Sequence, residues 1–389
     1  MKRLNLVLLL VIVFLPSAVH ADGKNKPKRK PVGCNSLKGK ARVRCEARAQ
    51  AAAKRRAERA AAIARQRELA AQAVENRLRA ESKANIEKDN TTGEDLTIRS
   101  MAISALGGKA GTVLVMNSQT GLVYTIVNQE WGIRKSFTPC STIKLVTSVA
   151  GVDSDVIDEE GGINDPKFSL DLNQAIAKSN NLYFQKVGTK LGNEKFVTTA
   201  KTLGLGQKTG INADGENTGR LPLVKKTALQ YSHGVGTEVT ALQLGVLASE
   251  ITNGGRKVVP TIPKDKTEIP KAVNIDVPQN TLQELIPGMS GATEFGTARR
   301  SGGYSFKVAG KTGTCSDSIS RVGLFTSVAP YDNPLYTVVV IIRGRRDQTN
   351  GPLAAFIAGR IYQSLDFGKT PIALVPEVKP TPAPISTPK

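Results

Sequence analysis

A long stretch without proline or glycine places the strongest constraint on how this chain can fold. Residues 41–88 are rich in Ala, Arg, Glu and Gln, and these strong helix formers predict one continuous helix. At 1.5 Å per residue such a helix would be roughly 70 Å long. Because its apolar positions are mostly alanine, it has little surface to bury. We expect a solvated stalk, with a coiled-coil segment as the alternative.

The segment before this helix has the anatomy of an export signal. Lys2 and Arg3 precede an almost wholly apolar run over residues 4–15, and small residues follow that suit cleavage. The run is shorter than the roughly 20 residues needed to span a bilayer. We expect residues 1–21 to be a signal peptide, and an uncleaved membrane anchor is the alternative. Either way the rest of the chain is expected to be exported, to the periplasm or another extracytoplasmic space.

The positive charge of the chain is concentrated in its N-terminal arm. Of the formal net charge of +21, residues 22–90 contribute 20 Lys and Arg against 8 Asp and Glu, a net +12. Nucleic-acid binding would explain a basic run, but export argues against it. We therefore expect the arm, residues 22–95, to meet an anionic membrane surface or wall polymers. We also expect that a chain starting near Thr91 folds and binds its ligands.

The composition changes at about residue 96, and from there to residue 367 Gly, Val, Thr and Leu are common. Apolar strand-like runs lie at both ends of this region and helix-like runs lie between them. The strand candidates are residues 111–116, 122–127, 306–309, 322–329 and 335–342. This order predicts an α/β (α+β) fold with an antiparallel sheet of about five strands, flanking helices and an all-helical subdomain. Residues 368–389 are rich in Pro and Thr, and we expect a disordered tail.

The small number of histidines limits the chemistry that this domain can perform. His20 lies in the predicted signal peptide, so a Ser-His-Asp triad could use only His233. A packed, neutral imidazole explains His233 better than a catalytic one. Two histidines and four cysteines also argue against a structural zinc site. Any acyl-transfer chemistry must therefore take its base from another residue type.

The first of three polar motifs is Ser141-Thr-Ile-Lys144, which follows Pro139 at the start of a helix-like stretch. Its serine and lysine are three residues apart, so they share one helix face. A serine at a helix N-terminus lies in positive potential, and a buried lysine one turn later could take its proton. A surface serine and a surface lysine are the alternative explanation of this spacing.

The second and third motifs carry groups that could bind a peptide. Ser179-Asn180-Asn181 stands between apolar helical runs; it has the composition of a loop, and it could supply a proton relay and a binding amide. Lys311-Thr312-Gly313-Thr314 follows a strand-like run. A lysine beside two hydroxyls suits a carboxylate, and the glycine lets a ligand lie close to the backbone. Each motif alone is a weak or moderate signal.

Together the motifs resemble the transpeptidase domain of penicillin-binding proteins, within the serine β-lactamase and D,D-peptidase superfamily. The resemblance extends over about residues 109–365 and is closest to the class B members. Gly234-Val-Gly-Thr-Glu-Val-Thr-Ala-Leu-Gln243 is similar to that family's G-x-G-x-x-V-T-P-L-Q, and Gly296-Thr-Ala298 precedes the K-T-G motif as it does there. The chain departs from the family at Cys140, where glycine is common, and we expect no pedestal domain like that of large members.

The resemblance implies acyl transfer through a serine ester, without a metal or other cofactor. Ser141 would attack the D-Ala-D-Ala carbonyl of a peptidoglycan stem peptide, with Lys144 as the base. Ser179 would relay a proton to the leaving D-alanine. β-Lactam antibiotics mimic the D-Ala-D-Ala end and should acylate the same serine.

The remaining motif residues are implied to bind the substrate. Asn181 would hold its amide, while Lys311 and the hydroxyls of Thr312 and Thr314 would bind its terminal carboxylate beside Gly313. The positive charge of Lys311 would also lower the pKa of Lys144. The backbone N–H groups of Ser141 and Thr314 would form the oxyanion hole.

The same resemblance implies a disulfide between Cys140 and Cys315, since each cysteine is the immediate neighbour of an oxyanion-hole residue. Some class A carbapenemases have a bridge at the same two places. Two buried thiols are the alternative. Cys34 and Cys45 are a second candidate pair, and the sequence leaves their pairing open.

Three functions remain open at this point. A cross-linking D,D-transpeptidase is favoured, because the middle of the chain resembles that family. A D,D-carboxypeptidase or β-lactamase would need a water-activating base that the sequence does not reveal. A non-catalytic penicillin-binding sensor is the third. The lifetime of the acyl-enzyme distinguishes the hydrolases from the other two.

Overall fold

The computed structural model describes residues 34–163, 165, 168–224, 227–264 and 267–367. The predicted signal peptide, most of the tether and the predicted tail lie outside these residues. The chain divides into two compact units, residues 1–66 and residues 67–389. Among the described residues, no helix is both long enough and apolar enough to cross a membrane.

The second unit is built on one five-stranded sheet, as the sequence predicted. The strands lie in the order β2-β1-β7-β6-β5, and every neighbouring pair is antiparallel. Two short strands, β3 and β4, form a separate pair. The strands are β1 Ala110–Asn117, β2 Val123–Val127, β3 Arg256–Lys257, β4 Val273–Asn274, β5 Ala309–Ser316, β6 Arg321–Ala329 and β7 Tyr336–Gly344.

Helices cover both faces of the sheet. Helix α7 packs on β1, β6 and β7, whereas α10 packs on β5, β6 and β7 and α2 packs on β1 and β2. Helices α3, α5 and α6 contact one another in the all-helical region. The helices are α1 Gly39–Glu87, α2 Leu96–Leu106, α3 Lys144–Val152, α4 Leu172–Ala177, α5 Asn181–Thr202, α6 Leu229–His233, α7 Ala241–Thr252, α8 Gln279–Gln283, α9 Ile286–Glu294 and α10 Gly351–Tyr362.

The edge strand β5 differs from the predicted strand over residues 306–309. Phe306 ends a 3-10 turn, and Lys307 has a left-handed backbone with φ of 48°, so an extended strand cannot begin before it. The strand therefore starts at Ala309 and contains the whole K-T-G-T motif. The prediction placed this motif after the strand, and the structure places it inside.

In the first unit, helix α1 carries an exposed and basic surface. From residue 39 to residue 66 only Cys45 and Glu46 are even partly buried, and Val43 and Ile63 are 65% and 51% exposed. A disulfide joins Cys34 to Cys45, with Cα atoms 5.6 Å apart. This part of the helix has the solvated character that the sequence predicted.

Residues 67–95 belong to the second unit, whereas the sequence placed the boundary between residues 95 and 96. Leu78 is fully buried in the main hydrophobic core. Ser82 Oγ lies 3.2 Å from the backbone oxygen of Gly111, and Trp131 Nε1 donates to Glu81 at 3.0 Å. The expectation that the whole arm has little to bury is therefore wrong for this part.

A buried cluster of charged side chains fastens this segment to the sheet. We name Asp89, Glu94 and Arg99 the anchor cluster. The Arg99 guanidinium donates to Asp89 at 2.6 Å and to Glu94 at 2.8 Å. Glu94 also accepts from Thr125 Oγ1 at 2.6 Å, and Asp89 accepts from the N–H of Gln129 at 2.7 Å. The polar groups of this cluster thus satisfy one another away from water.

Candidate active site

The predicted nucleophile stands in the turn that leads into helix α3. Ser141 lies in a 3-10 turn over Cys140–Ile143, and Lys144 begins the α-helix. Lys144 is fully buried, whereas Ser141 is partly exposed. Lys144 Nζ lies 3.0 Å from Ser141 Oγ, so the two side chains predicted to share a helix face do make contact.

Four oxygen atoms surround the Lys144 amine. Besides Ser141 Oγ they are the Ser179 backbone oxygen at 2.8 Å, Ser179 Oγ at 2.9 Å and Asn181 Oδ1 at 2.7 Å. The Ser179 carbonyl and the Asn181 side-chain carbonyl can only accept, so they take the two hydrogens of a neutral amine. The nitrogen lone pair is then left for a serine hydroxyl.

Burial favours the neutral form of Lys144. Removal from water lowers its pKa to about 6, and the charge of Lys311 adds to this effect. Among the described residues, no carboxylate forms an ion pair with either lysine. A lysine with this pKa is largely neutral at pH 7, which is the form that a general base needs. Together Ser141, Lys144, Ser179, Asn181 and Lys311 are named the nucleophile cluster.

The second motif forms the turn between helices α4 and α5. Ser179 has a left-handed backbone with φ of 56°, and its side chain and carbonyl both face Lys144. Asn180 caps α5 by accepting from the N–H of Tyr183 at 2.9 Å. Asn181 is the first residue of α5 and is exposed. The triplet is thus a loop, and it also brings two polar side chains to the base.

The third motif lies on β5, with its side chains on alternate faces. Lys311 is fully buried, and burial lowers its pKa to about 7. Thr312 and Thr314 alternate with Lys311 and Gly313 along this edge strand, which contacts the nucleophile turn. Thr312 Oγ1 lies 2.7 Å from Thr297 Oγ1, and Thr314 Oγ1 accepts from the N–H of Gly351 at 2.8 Å.

A disulfide joins the nucleophile turn to the edge strand. Cys140 and Cys315 are bonded, with Cα atoms 5.6 Å apart. Between them, a Cβ at Gly313 would lie 2.9 Å from the Pro139 backbone oxygen, so only glycine allows this approach. Cys140 has φ of 51°, a left-handed backbone conformation that glycine adopts freely. The bridge holds a cysteine in a conformation that its side chain disfavours.

Two contacts of the site were missed by the motif analysis. The Thr297 hydroxyl and the Gly351 N–H each reach a threonine of the third motif. Gly296-Thr-Ala298 resembles a family pattern, but nothing in the sequence assigns its threonine a contact. His233 is half-buried, and burial together with the nearby Lys144 lowers its pKa, which favours a neutral imidazole.

Residues 111–363 match the family described as the penicillin binding protein transpeptidase domain. The chain belongs to this family. Stage V sporulation protein D of Bacillus subtilis is 25% identical over 312 residues, which cover 68% of this chain and 48% of that protein. The peptidoglycan D,D-transpeptidase MrdA of Haemophilus influenzae is 26% identical over 281 residues, covering 56% of this chain and 43% of that protein.

The fold is also that of solved transpeptidase domains. The transpeptidase domain of penicillin-binding protein 3 from Burkholderia pseudomallei has a TM-score of 0.62 at 21% identity, and the match covers 70% of this chain and 94% of that one. The chain spans 48% of the Bacillus subtilis protein and 48% and 32% of two mycobacterial relatives, both penicillin-binding proteins PbpB. Family and fold are therefore established, and the activity of the whole protein is a matter for proposal.

Proposed function

We propose that this chain is a D,D-transpeptidase that acts on the D-Ala-D-Ala ends of peptidoglycan stem peptides and binds β-lactams. The observation that carries the proposal is the contact of one buried, neutral amine, Lys144 Nζ, with the hydroxyls of Ser141 and Ser179. A base between two hydroxyls can receive a proton from one and return it through the other. Relatives named as peptidoglycan D,D-transpeptidases support the substrate class.

In the acylation step, Ser141 Oγ bonds to the carbonyl carbon of the penultimate D-alanine while Lys144 takes the hydroxyl proton. The N–H groups of Ser141 and Thr314 stabilise the oxyanion, and each such donor contributes about 3–4 kcal/mol in other enzymes. The bond to the terminal D-alanine then breaks, and Ser179 passes the proton to the leaving amine. An amine of a second stem peptide then attacks the ester carbonyl and loses a proton to Lys144. The bond to Ser141 Oγ breaks, and the proton returns from Lys144 to Ser141.

Substrate binding uses the groups around this base. Asn181 Oδ1 accepts from Lys144, so the side-chain NH2 of Asn181 remains to donate to a substrate carbonyl. Protonated Lys311 and the hydroxyls of Thr312 and Thr314 bind the terminal carboxylate. Gly313 keeps the strand close to the nucleophile turn.

The basic arm serves association with an anionic surface outside the cytoplasm. Residues 39–66 contain nine Lys and Arg and two Glu, and nearly all of these residues are exposed. Membrane headgroups and wall polymers both present the anionic chemistry that such a surface attracts. A chain starting at Arg67 should lose salt-sensitive binding to anionic vesicles and to purified wall polymer alike. Retention of both would exclude this role.

Mass spectrometry of the chain mixed with a penicillin tests the enzymatic proposal. The wild type should gain one long-lived penicilloyl group on Ser141, and Ser141→Ala should gain none while remaining folded. Rapid loss of the adduct would indicate a hydrolase instead. A folded Ser141→Ala chain that still acquires the group would overturn the assignment of the nucleophile.

A further inference from the structure

The two threonine hydroxyls of the third motif are each held by a neighbour, and this decides where their hydrogens can go. A hydroxyl has one hydrogen to donate, and it can accept at its lone pairs. Thr314 Oγ1 accepts from the N–H of Gly351 at 2.8 Å, and an N–H can only donate. The Thr314 hydrogen is therefore free for a ligand.

Thr312 has a different neighbour, the hydroxyl of Thr297. The two oxygens are 2.7 Å apart, so one hydroxyl donates to the other. If Thr312 donates to Thr297, its only hydrogen is consumed within the protein. If Thr297 donates to Thr312, the Thr312 hydrogen is available. A carboxylate beside Thr312 is an acceptor only, and it therefore selects the second arrangement.

The backbone holds Thr297 firmly in place for this contact. The N–H of Thr297 donates to the carbonyl of Ala177 at 3.1 Å, just before the Ser179 turn. A Cβ at the preceding Gly296 would lie 2.2 Å from that same carbonyl, so only glycine allows the approach. Helix α9, which ends just before this segment, packs on β5. The threonine is thus tied to the second motif by its backbone and to the third by its side chain.

We infer that Thr297 is a positioning residue for carboxylate recognition, because its hydroxyl donates to Thr312 Oγ1 and thereby directs the Thr312 hydrogen to the carboxylate of the substrate or the β-lactam. The inference rests on the proposed function, since it concerns the carboxylate that this function requires. Thr297 itself does not touch the reacting atoms. When the Thr312 hydroxyl accepts a hydrogen bond from Thr297 it becomes more polarised, and the hydrogen bond that it donates to the ligand becomes stronger.

The test compares a β-lactam that has its carboxylate with one that lacks it. The second-order rate constant of acylation is measured with benzylpenicillin and with its methyl ester, on the full chain. Thr297→Val keeps the shape and removes the hydroxyl. It should lower the benzylpenicillin rate about three- to tenfold, as loss of one neutral hydrogen bond would, and change the ester rate less than about twofold. Thr297→Ser should restore the benzylpenicillin rate.

A double variant tests whether Thr297 acts through Thr312 or whether its substitution disturbs the whole site. In Thr312→Val chains the hydroxyl that Thr297 directs is gone, so adding Thr297→Val should change the benzylpenicillin rate less than about twofold. The matched control is Thr337→Val, which breaks hydroxyl contacts of 2.9 Å to Ser118 and 2.7 Å to Ser249 in the core. It should leave the preference for the carboxylate unchanged.

Each outcome decides for or against the inference. Equal losses for the two β-lactams, no loss for either, or a full additional loss in the Thr312→Val background would overturn it and leave the proposed function intact. A wild-type chain that no β-lactam acylates would overturn the proposed function and this inference together. If Thr297→Val does not fold, Thr297→Ala takes its place with the same expected results.

Discussion

Two clusters of ionisable side chains are buried in the described part of the chain, and they differ in whether each cation has a carboxylate partner. The anchor cluster sets one arginine, Arg99, between two carboxylates within 2.8 Å. The nucleophile cluster holds two lysines, Lys144 and Lys311, without an ion-paired carboxylate among the described residues, and burial lowers the pKa of both. In the anchor cluster the opposite charges pair with one another, and these ion pairs stabilise the fold. Buried amines without a counter-ion are costly to keep, and here they supply a base and a site for an anion.

The largest effect is expected from removing the base. Lys144→Met should lower the rate of acylation by a β-lactam about 10³-fold, because no other described group accepts the Ser141 proton. The melting temperature should stay equal or rise, because a buried amine is replaced by an apolar side chain of similar length. Stopped-flow acylation and thermal unfolding of the same samples check both. A marked loss of stability would mean that this cluster is structural as well.

Removing the part of the arm that packs within the second unit should lower the stability of the fold rather than the chemistry of Ser141. A chain starting at Thr91 loses Leu78 from the core and Asp89 from the anchor cluster, which should lower the free energy of unfolding by about 5 kcal/mol or more. A chain starting at Arg67 retains both and serves as the matched control. It should melt with the full chain and be acylated at the same rate. Equal stability of the two truncated chains would contradict the docking.

A single substitution in the anchor cluster sharpens the comparison. Arg99→Met leaves Asp89 and Glu94 buried without their cation, which should cost about 3–5 kcal/mol. Below the melting transition, the acylation rate per folded molecule should remain that of the wild type. Urea unfolding combined with penicillin labelling measures the two quantities. A fall in the labelling rate at full folding would show that the two clusters are coupled.

The nucleophile cluster was predictable from the sequence because each member stands in a short motif whose residue types suit one chemistry. Ser141, Lys144, Ser179 and Asn181 meet as the motifs implied. The contact between Thr297 and Thr312 could not be predicted, because it depends on how the segment after α9 lies against β5. A threonine in a polar segment has no local signature for such a partner.

The docking of residues 67–95 was missed for a different physical reason. Val74, Leu78, Ser82 and Ile86 recur at helical spacing, so one face of α1 does become buried or partly buried. Between them lie alanines and charged residues like those of residues 39–66, so the apolar periodicity of this segment is weak. Asp89, Glu94 and Arg99 also have the composition of a solvated loop. Only the neighbouring sheet makes them a buried network.

The neutrality of Lys144 is the central claim, and the pH dependence of acylation tests it most directly. A lysine whose folded-state pKa is lowered to about 6 acts as a base above that pH and is protonated below it. The second-order rate constant for penicillin should therefore fall about tenfold per unit below pH 6 and change little between pH 6 and pH 7. Above pH 7 it should decline, because Lys311, whose pKa burial lowers to about 7, loses the charge that binds the carboxylate. Mass spectrometry of penicilloyl-Ser141 from pH 4.5 to pH 8, with melting temperatures at each pH, gives the profile. A rate that is still rising tenfold per unit up to pH 8, or one that is flat down to pH 4.5 in folded protein, would contradict the account.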